Sequence, residues 1–358
     1  MGTIRLPGLI DVHVHMRDPG ATHKEDWDSG TASALAGGYT CVLAMPNTSP
    51  PITDNVSLEA ALAVARKKAR CDYGIYMGAV VDNPFTAADL APRVAGLKLY
   101  LDQTFGPLHL RTLKPLQAHM AAWPRGSRLL CHAEGPMAAA AIMVAMLQQR
   151  PVHICHVSSQ AEVALIRAAR ERGIAVTCEV TPHHLFLTVD DASSLGAGRC
   201  EVRPRLNSAA DQAALWQALS DGVIDCITTD HAPHTLLEKD GDQPPPGFPG
   251  LETSLALLLG AVRAGRLTLE RLVELMHTKP ARLFGIAAQP ETWVEVDPDV
   301  RWEVRGERFH SRCGWTPFEG RQLKGMVRQV TLRGVPAFED AEVLSAPGSG
   351  LDVTRMQR

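Results

Sequence analysis

The chain has 358 residues, of which 45% are hydrophobic and 21% charged, and its formal net charge is -3. This balance is typical of a globular protein with a full core, and it argues against a disordered chain or a general binder of polyanions. No run of residues reaches the roughly 18 apolar positions that a membrane span needs, and no signal peptide opens the sequence. We therefore expect a cytoplasmic protein with no nucleic-acid partner and no membrane partner.

The cysteine positions do not suggest a disulfide framework. Isolated cysteines in strands usually behave as small buried hydrophobic residues. In the absence of a secretory signal, we expect them to be reduced. Five of the eight cysteines lie inside apolar runs that predict buried strands, namely Cys41, Cys131, Cys155, Cys178 and Cys226.

Short β-branched runs alternate with longer helical runs through most of the chain. This order predicts parallel βαβ units. Eight such units over about 250 residues favour an α/β fold of the (β/α)8 barrel type. An open doubly wound sheet is the alternative, but no G-x-G-x-x-G follows the first predicted strand. The predicted strands span residues 6–15, 39–45, 72–80, 95–101, 128–134, 152–157, 174–180 and 225–233.

The pattern changes after residue 250. Two helical segments are followed by short alternating segments, which predict a small β appendage formed mainly by the C-terminal part of the chain. We expect a hydrolase barrel over residues 6–285, a small β subdomain over 286–344 and a frayed tail over 345–358.

Residues of metal-ligand type fall at the ends of the predicted strands. In a (β/α)8 barrel the catalytic groups project from the carboxyl ends of the strands. His13 and His15 stand at positions i and i+2 of one strand and therefore face the same side. Taken singly, each residue has an ordinary alternative, such as a satisfied core histidine or a helix cap at Asp230. Together they favour a zinc site. The candidates are His13, His15, Lys98, His132, Cys155, His156, Glu179 and Asp230.

Lys98 requires a separate explanation, because an ammonium group cannot ligate a cation. A low-dielectric interior favours the neutral amine. The neutral amine can add carbon dioxide and become a carbamate, whose two oxygens could bridge two metal ions. The alternative is a salt bridge between Lys98 and Asp230.

Nine motifs within residues 6–253 resemble those of dihydroorotases of the amidohydrolase superfamily, in the form found within animal multifunctional pyrimidine-synthesis polypeptides, and the resemblance as a whole spans roughly residues 6–335. The resemblance implies reversible, zinc-dependent cyclisation of N-carbamoyl-L-aspartate to L-dihydroorotate in pyrimidine biosynthesis. It also implies a homodimer and neighbouring pyrimidine-pathway domains as partners. The motifs are LPGLIDVHVHMRDPG, MPNTSPPITD, GLKLYL, CHAE, HICHV, CEVTPHH, EVRPRL, TTDHAPH and PPPGFPGLET.

The resemblance also implies roles for single residues. It implies two zinc ions bridged by carbamylated Lys98, with Asp230 moving the proton in catalysis. Cys155 and Glu179 resemble positions that hold a third metal together with His13, although a buried thiol and a structural acid are the ordinary alternatives. The implied zinc ligands are His13, His15 and Asp230 for the first ion, and His132 and His156 for the second.

Arg17 favours one substrate among those of the cyclic amidohydrolases, which share the metal ligands. Dihydroorotate carries a ring carboxylate that an arginine can hold with two hydrogen bonds, whereas a dihydropyrimidinase substrate has none. The alternative is a salt bridge from Arg17 to Asp18 or Glu25. The other predicted substrate-binding residues are Asn47, Arg203, His234, Pro246 and Gly247.

The segment 101–107 follows the fourth predicted strand and therefore lies at the catalytic face. The resembled family places a mobile, threonine-containing loop over its ligand. We therefore expect Thr104 to bond the substrate and Phe105 to cover it, while Gly106 gives the backbone freedom to open. The alternative is a phenylalanine packed against the rim.

Two other functions stay open at this point. One is a dihydropyrimidinase or hydantoinase that uses the same metal ligands. The other is a scaffold paralogue that keeps the fold but has lost the ligands. All the bridging positions are present in this sequence, which favours an enzyme.

Overall fold

The computed structural model describes residues 2–356, which form alternating strands and helices followed by a small antiparallel sheet. The strands are β1 Ile4–Pro7, β2 Leu9–Val14, β3 Tyr39–Ala44, β4 Asp72–Ile75, β5 Met77–Gly78, β6 Leu97–Tyr100, β7 Leu129–His132, β8 Val152–Ile154, β9 Val176–Val180, β10 Cys226–Ile227, β11 Trp293–Glu303, β12 Gln322–Leu332, β13 Val335–Glu339 and β14 Glu342–Val343. The helices are α1 Trp27–Ala36, α2 Asn55–Lys68, α3 Pro84–Asp89, α4 Leu113–Ala122, α5 Pro136–Leu147, α6 Gln160–Glu171, α7 Pro182–Phe186, α8 Ala192–Leu195, α9 Ala209–Ser220, α10 Leu236–Lys239, α11 Leu251–Arg263, α12 Leu269–Val273, α13 Lys279–Phe284 and α14 Val353–Met356.

The parallel strands form two sheets, one of three strands in the order β2-β3-β4 and one of six in the order β10-β9-β8-β7-β6-β5. Strand β3, with the sequence YTCVLA, is buried throughout, as expected for a parallel strand covered on both faces. The chain runs from β4 into β5 through Tyr76, and an isolated parallel bridge joins Val14 to His231. The fold is therefore α/β with parallel sheets, and no single closed sheet runs through residues 2–356.

The small sheet is antiparallel, with the strand order β1-β11-β12-β13-β14. The first predicted strand is split in the structure, because β1 pairs with β11 while β2 begins the parallel sheet. The split falls at Gly8, where a Cβ would lie 2.3 Å from Oγ1 of Thr40. The N-terminus thus adds one strand to a sheet whose other four strands come from residues 293–343.

The expectation of a frayed tail over 345–358 is corrected for the part that the structure describes. Gly350 donates its N–H to the carbonyl of Ala69, at 3.0 Å, and Val353 on α14 is buried. Backbone pairing with the chain before β4 therefore holds residues 345–356 in place. The last two residues lie outside the described part.

Two further expectations concern the state of the cysteines and the absence of a membrane-spanning helix. All eight cysteines are free, and the five placed on predicted strands are buried. Within residues 2–356, the helices are all too short or too polar to cross a bilayer.

Candidate active site

Side chains of metal-ligand type meet where the parallel strands end. His13 lies on β2, Lys98 on β6 and Glu179 on β9, while His132 ends β7. The two parallel sheets thus bring together residues that are as many as 166 positions apart in the sequence, as His13 and Glu179 are. The cavity that they enclose is lined by His13, His15, Arg17, Asn47, Lys98, Tyr100, Thr104, Phe105, His132, His156, Arg203, Asp230, Ala232, Pro246 and Gly247.

Asp230 lies at the centre of this cluster. Its Oδ1 is 3.3 Å from Nε2 of His13 and 3.1 Å from Nε2 of His15. Burial would raise the pKa of the Asp230 carboxyl, but the imidazoles of His13 and His15 outweigh that effect and hold the pKa well below its usual range. Asp230 is therefore a carboxylate, available as a ligand or a proton acceptor.

Three residues of the cavity have left-handed backbone conformations that side chains other than glycine rarely adopt. The φ angles are +56° at Arg17, +30° at His156 and +46° at Asp230. Such conformations are unfavourable and are retained mainly where the surrounding structure enforces them, often at functional sites. All three side chains point into the cavity and line it.

Lys98 is fully buried, and among residues 2–356 it pairs with no carboxylate within 4 Å. The alternative of a salt bridge to Asp230 is therefore wrong. Its Nζ lies 3.4 Å from Nε2 of His13 and donates to Sγ of Cys155 at 3.1 Å. A buried lysine with an imidazole, a thiol and an aromatic ring beside it, and with no carboxylate within 4 Å, is a suitable precursor of a carbamate.

His132, at the end of β7, and His156, shortly after β8, contact each other through their rings. Nδ1 of His132 lies 2.8 Å from Nε2 of His156, and Nε2 of His132 lies 3.1 Å from Oε1 of Glu134. A histidine that ligates a metal usually donates its other N–H to an acceptor such as this carboxylate. Burial lowers the pKa of His132 and holds that of His156 well below its usual range, so both rings are neutral. Nδ1 of His156 is buried without a partner.

These donors fit divalent metal ions. The ligand atoms of His13, His156 and Asp230 all lie within 4.8 Å of one another. Burial lowers the pKa of His15 to about 4, which keeps that ring neutral and able to ligate. Neutral imidazoles together with one carboxylate form a donor set suited to zinc.

Cys155 and Glu179 lie behind the cavity and do not line it. With His13 they form a second group whose ligand atoms all lie within 4.8 Å of one another. Glu179 contacts Nδ1 of His13 through Oε1, and it contacts Nε2 of His153 at 3.0 Å through Oε2. Because His13 takes part in both groups, its two ring nitrogens link them.

Arg17 is a buried cation with no anionic partner in the described part of the chain. The alternatives of an ion pair with Asp18 or Glu25 are wrong, because Asp18 pairs with Lys68 and Glu25 contacts His231. Nε of Arg17 donates to the carbonyl of Pro233 at 3.1 Å, while Nη1 is buried without a partner. Burial lowers the pKa of Arg17 to about 10, so the guanidinium remains charged at neutral pH.

The loop after β6 covers this guanidinium. The ring of Phe105 lies 5.5 Å from Cζ of Arg17 and packs edge-on against His234, at 4.9 Å between centroids. Nδ2 of Asn47 donates to the carbonyl of Phe105 at 3.3 Å, and Oδ1 of Asn47 lies 2.6 Å from Nδ1 of His15. Asn47 therefore connects the loop to the histidine cluster.

Three of the remaining predicted substrate residues form a further part of the cavity wall, and one does not. Arg203, Pro246 and Gly247 line the cavity, whereas His234 lies behind Arg17 and does not line it. The buried Lys239 donates to three backbone carbonyls of this wall, including those of Pro245 and Gly247. This wall is thus fixed by its backbone.

The cavity has a volume of only about 40 Å³. Typical small-molecule sites have roughly 300–1,000 Å³, so a substrate fits only if part of the wall moves. A second and larger cavity, of about 440 Å³, lies between α11 and the small sheet, and none of the clustered histidines lines it.

Several residues of the site are absent from the sequence predictions. Tyr100 lines the cavity, with a hydroxyl that is buried and unpartnered. Glu134 orients His132, His153 contacts Glu179, and Lys24 contacts His234. Tyr100 stands two residues after Lys98 on β6, so the period of two residues along a strand was a signal that could have found it. The others depend on contacts between distant segments.

Comparisons with known proteins agree with this architecture. Residues 4–289 match the profile of the amidohydrolase family. The chain is 36% identical over 362 residues to the dihydroorotase of Pyrococcus abyssi, which covers 97% of this chain and 86% of that protein. The L-hydantoinase (dihydropyrimidinase) from Arthrobacter aurescens superimposes with a TM-score of 0.93 at 28% identity, covering 99% of this chain and 89% of that one.

A longer relative matches at higher identity. The chain is 50% identical over 351 residues to the multifunctional protein pyr1-3 of Dictyostelium discoideum, which covers 98% of this chain and only 16% of that protein. The chain thus spans about one sixth of the length of this relative. The chain belongs to the amidohydrolase family, and the resemblance to dihydroorotases drawn from its motifs is confirmed.

Proposed function

We propose that this chain is a dihydroorotase, a hydrolase of cyclic amides that interconverts L-dihydroorotate and N-carbamoyl-L-aspartate. The observation that carries the proposal is Arg17, a buried guanidinium without an anionic partner in the described chain, in the same cavity as the metal-ligand cluster. A buried charge is costly unless it is paired. The carboxylate of dihydroorotate would pair it.

We further propose two zinc ions at the strand ends. The residues that would hold them are His13, His15 and Asp230 for one ion, and His132 and His156 for the other. When bound, the zinc ions would activate a water molecule at neutral pH and polarise the ring amide carbonyl. A third ion would be held by His13, Cys155 and Glu179.

Lys98 would be the bridging ligand after carbamylation. The nitrogen lone pair of the neutral amine attacks the carbon of CO₂, an N–C bond forms, and one π pair moves to oxygen. The amine proton leaves to solvent, and the product is a carbamate anion. The surroundings of Lys98 support this step, because they offer the ammonium form no carboxylate within 4 Å.

Asp230 would carry the proton during ring opening. It accepts a proton from the attacking water while the oxygen bonds to the amide carbon. It then returns this proton to the ring nitrogen as the C–N bond breaks. Ring closure reverses each transfer. The low pKa of Asp230 keeps this side chain ionised in the free site, which is the form that can accept a proton.

The loop over residues 102–107 would act as a lid. Phe105 and Thr104 close a cavity too small for the substrate, and the φ of +112° at Gly106 is one that glycine adopts readily. With the lid closed, Thr104 would donate a hydrogen bond to the substrate, while Asn47 and the wall around Arg203 and Gly247 would complete its binding.

We infer a closed (β/α)8 barrel over residues 6–285, with a small subdomain over 286–344. The bridge between Val14 and His231 supports closure on one side, and the continuous chain from β4 to β5 supports it on the other. We also propose that the chain works as a homodimer beside other pyrimidine-pathway domains. The exposed apolar side chains of Met143, Met146 and Leu147 on α5 support a protein contact.

A substrate panel tests the proposed function. Zinc-loaded protein should convert dihydroorotate and N-carbamoyl-L-aspartate, and it should leave dihydrouracil and hydantoin almost unchanged. Faster turnover of dihydrouracil would instead indicate a dihydropyrimidinase, the activity named for the structural neighbour from Arthrobacter. Zinc-loaded protein inactive on every member of the panel would favour a scaffold paralogue.

A further inference from the structure

We propose that Lys24 is a positioning residue that fixes which nitrogen of the His234 ring carries the proton, so that the ring offers Arg17 no acceptor and the Arg17 guanidinium keeps its N–H groups for the substrate carboxylate. The inference rests on the proposed function, because it takes the bound anion to be dihydroorotate. Lys24 lies before α1 and does not line the cavity, so it would act through His234.

The contacts of Lys24 define its role as a donor. Its side chain is buried, with Nζ 3.0 Å from Nδ1 of His234 and 2.8 Å from Oε1 of Glu238. The ion pair with Glu238 supports the ammonium form, which has three donors and no acceptor. Nδ1 of His234 must therefore accept, and the proton of the neutral ring lies on Nε2.

With the proton on Nε2 of His234, this ring nitrogen and Nη2 of Arg17 are neighbouring hydrogen-bond donors, and neither can accept from the other. Nε2–H of His234 donates to the carbonyl of Pro246 at 3.1 Å and also lies 3.0 Å from Nη2 of Arg17. A guanidinium has no acceptor, so Nη2 gains nothing from this neighbour. Nη1 of Arg17 is buried without a partner. The guanidinium edge is thus available to an anion.

Removing Lys24 would reverse the arrangement. Nδ1 of His234 could then take the proton, and the freed lone pair on Nε2 would accept from Nη2 of Arg17. The guanidinium would be satisfied within the protein, and a carboxylate would have to compete for it. Phe105 lies 4.5 Å from Nζ of Lys24 and shields these contacts from water, which strengthens them.

The test compares Lys24→Met with Lys67→Met in the zinc-loaded full chain. Lys67 is exposed on α2, so its variant removes the same charge away from the site. For Lys24→Met we expect KM for dihydroorotate to rise roughly 10- to 100-fold, with kcat changed less than about threefold. Lys67→Met should match the wild type. Lys24→Arg, which is also only a donor, should restore most of the affinity.

A spectroscopic readout separates this role from a merely structural one. The ¹⁵N shifts of the His234 ring, assigned with His234→Asn, should show the proton on Nε2 in the wild type and Lys24→Arg, and on Nδ1 in Lys24→Met. A proton on Nδ1 in the wild type overturns the inference, whatever the variants do. An unchanged tautomer or an unchanged KM in Lys24→Met also overturns it.

The wild type distinguishes the failure of this inference from that of the proposed function. Wild-type protein that is active on dihydroorotate, with an unaffected Lys24→Met variant, contradicts the inference alone. Wild-type protein that is active only on uncharged rings contradicts the proposed function and, with it, the carboxylate on which the inference rests.

Discussion

The metal-ligand cluster and the proposed carboxylate clamp of Arg17 lie at one cavity but are built from different parts of the fold. Residues of the cluster lie on parallel strands or directly after them, as His13, Lys98 and His132 do. The proposed clamp is Arg17, with His234 beside it; both residues lie in loops and contact one another and the backbone. In the proposed function, the sheets therefore fix the groups that perform the chemistry, and the loops select the substrate.

The difference also appears in how charge is balanced. Asp230 is surrounded by imidazoles that hold its pKa low, so this carboxylate has partners before any substrate binds. Arg17 has no counter-ion in the described chain, so the clamp is satisfied only by an anionic ligand. Changes in the cluster should thus abolish chemistry, and changes in the clamp should alter substrate preference.

The largest effect is expected from Lys98→Ala. Without the bridging carbamate, the protein should lose at least one zinc ion per chain and roughly a thousandfold or more in turnover, because the metal-activated water is lost. Metal analysis and initial rates check this, with Lys67→Ala as the control for an exposed lysine. Two bound zinc ions and normal turnover in Lys98→Ala would rule out the bridging role.

A pH titration of the metal-free protein tests the buried histidines of the cluster. The folded pKa of His15 is about 4, below the unfolded value of about 6.5, and burial also lowers that of His132. The unfolded chain therefore binds more protons between these values. The stability that is present above pH 6.5 should fall as the pH drops towards 4.

The contribution of these rings to the free energy of unfolding should decrease by on the order of a few kcal/mol across that range. The buried carboxyls of Asp11 and Glu252 act in the opposite direction, because burial raises their pKa values to about 7 and about 8. Urea denaturation of the metal-free wild type and of His15→Asn at pH 7 and at pH 4.5 isolates the contribution of His15, since the two proteins differ only in that ring. A stability difference between the two proteins that is equal at both pH values would mean that the His15 ring is not buried in the neutral form.

The smallest effect is expected at the lid. Phe105→Ala should lower kcat/KM for dihydroorotate roughly fivefold, since it removes a ring that lies over two cations. The melting temperature should be unchanged, because Phe105 is already 36% exposed. Phe85→Ala, at an exposed site on α3, is the control. A lower melting temperature with normal turnover would instead assign Phe105 to rim packing.

The strand–helix order and the ligand-type residues could be predicted from the sequence. Buried parallel strands are continuous apolar runs, so a histidine or lysine within one, such as His13 or Lys98, is conspicuous. The motifs then identified the family. The expectation of a frayed tail was wrong for the described residues, because hydrophobic periodicity does not indicate the backbone hydrogen bond between Gly350 and Ala69.

Contacts between distant segments could not be predicted in the same way. Lys24 precedes a helix in a polar segment and has no feature that indicates burial against His234. Glu134 follows His132 by two residues, but its contact with that ring depends on how the chain turns after β7. The small volume of the cavity also results from three-dimensional packing around Phe105.

The measurement that tests the central claim most directly is the ratio of kcat/KM for dihydroorotate to that for dihydrouracil, in zinc-loaded wild type and in Arg17→Met. We expect a large ratio in the wild type. In the variant, kcat/KM for dihydroorotate should fall about 30- to 1,000-fold with the zinc content unchanged, since a charge-assisted contact is lost. Arg172→Met, at an exposed position after α6, is the control. A ratio that is equal in the wild type and Arg17→Met would contradict the carboxylate clamp.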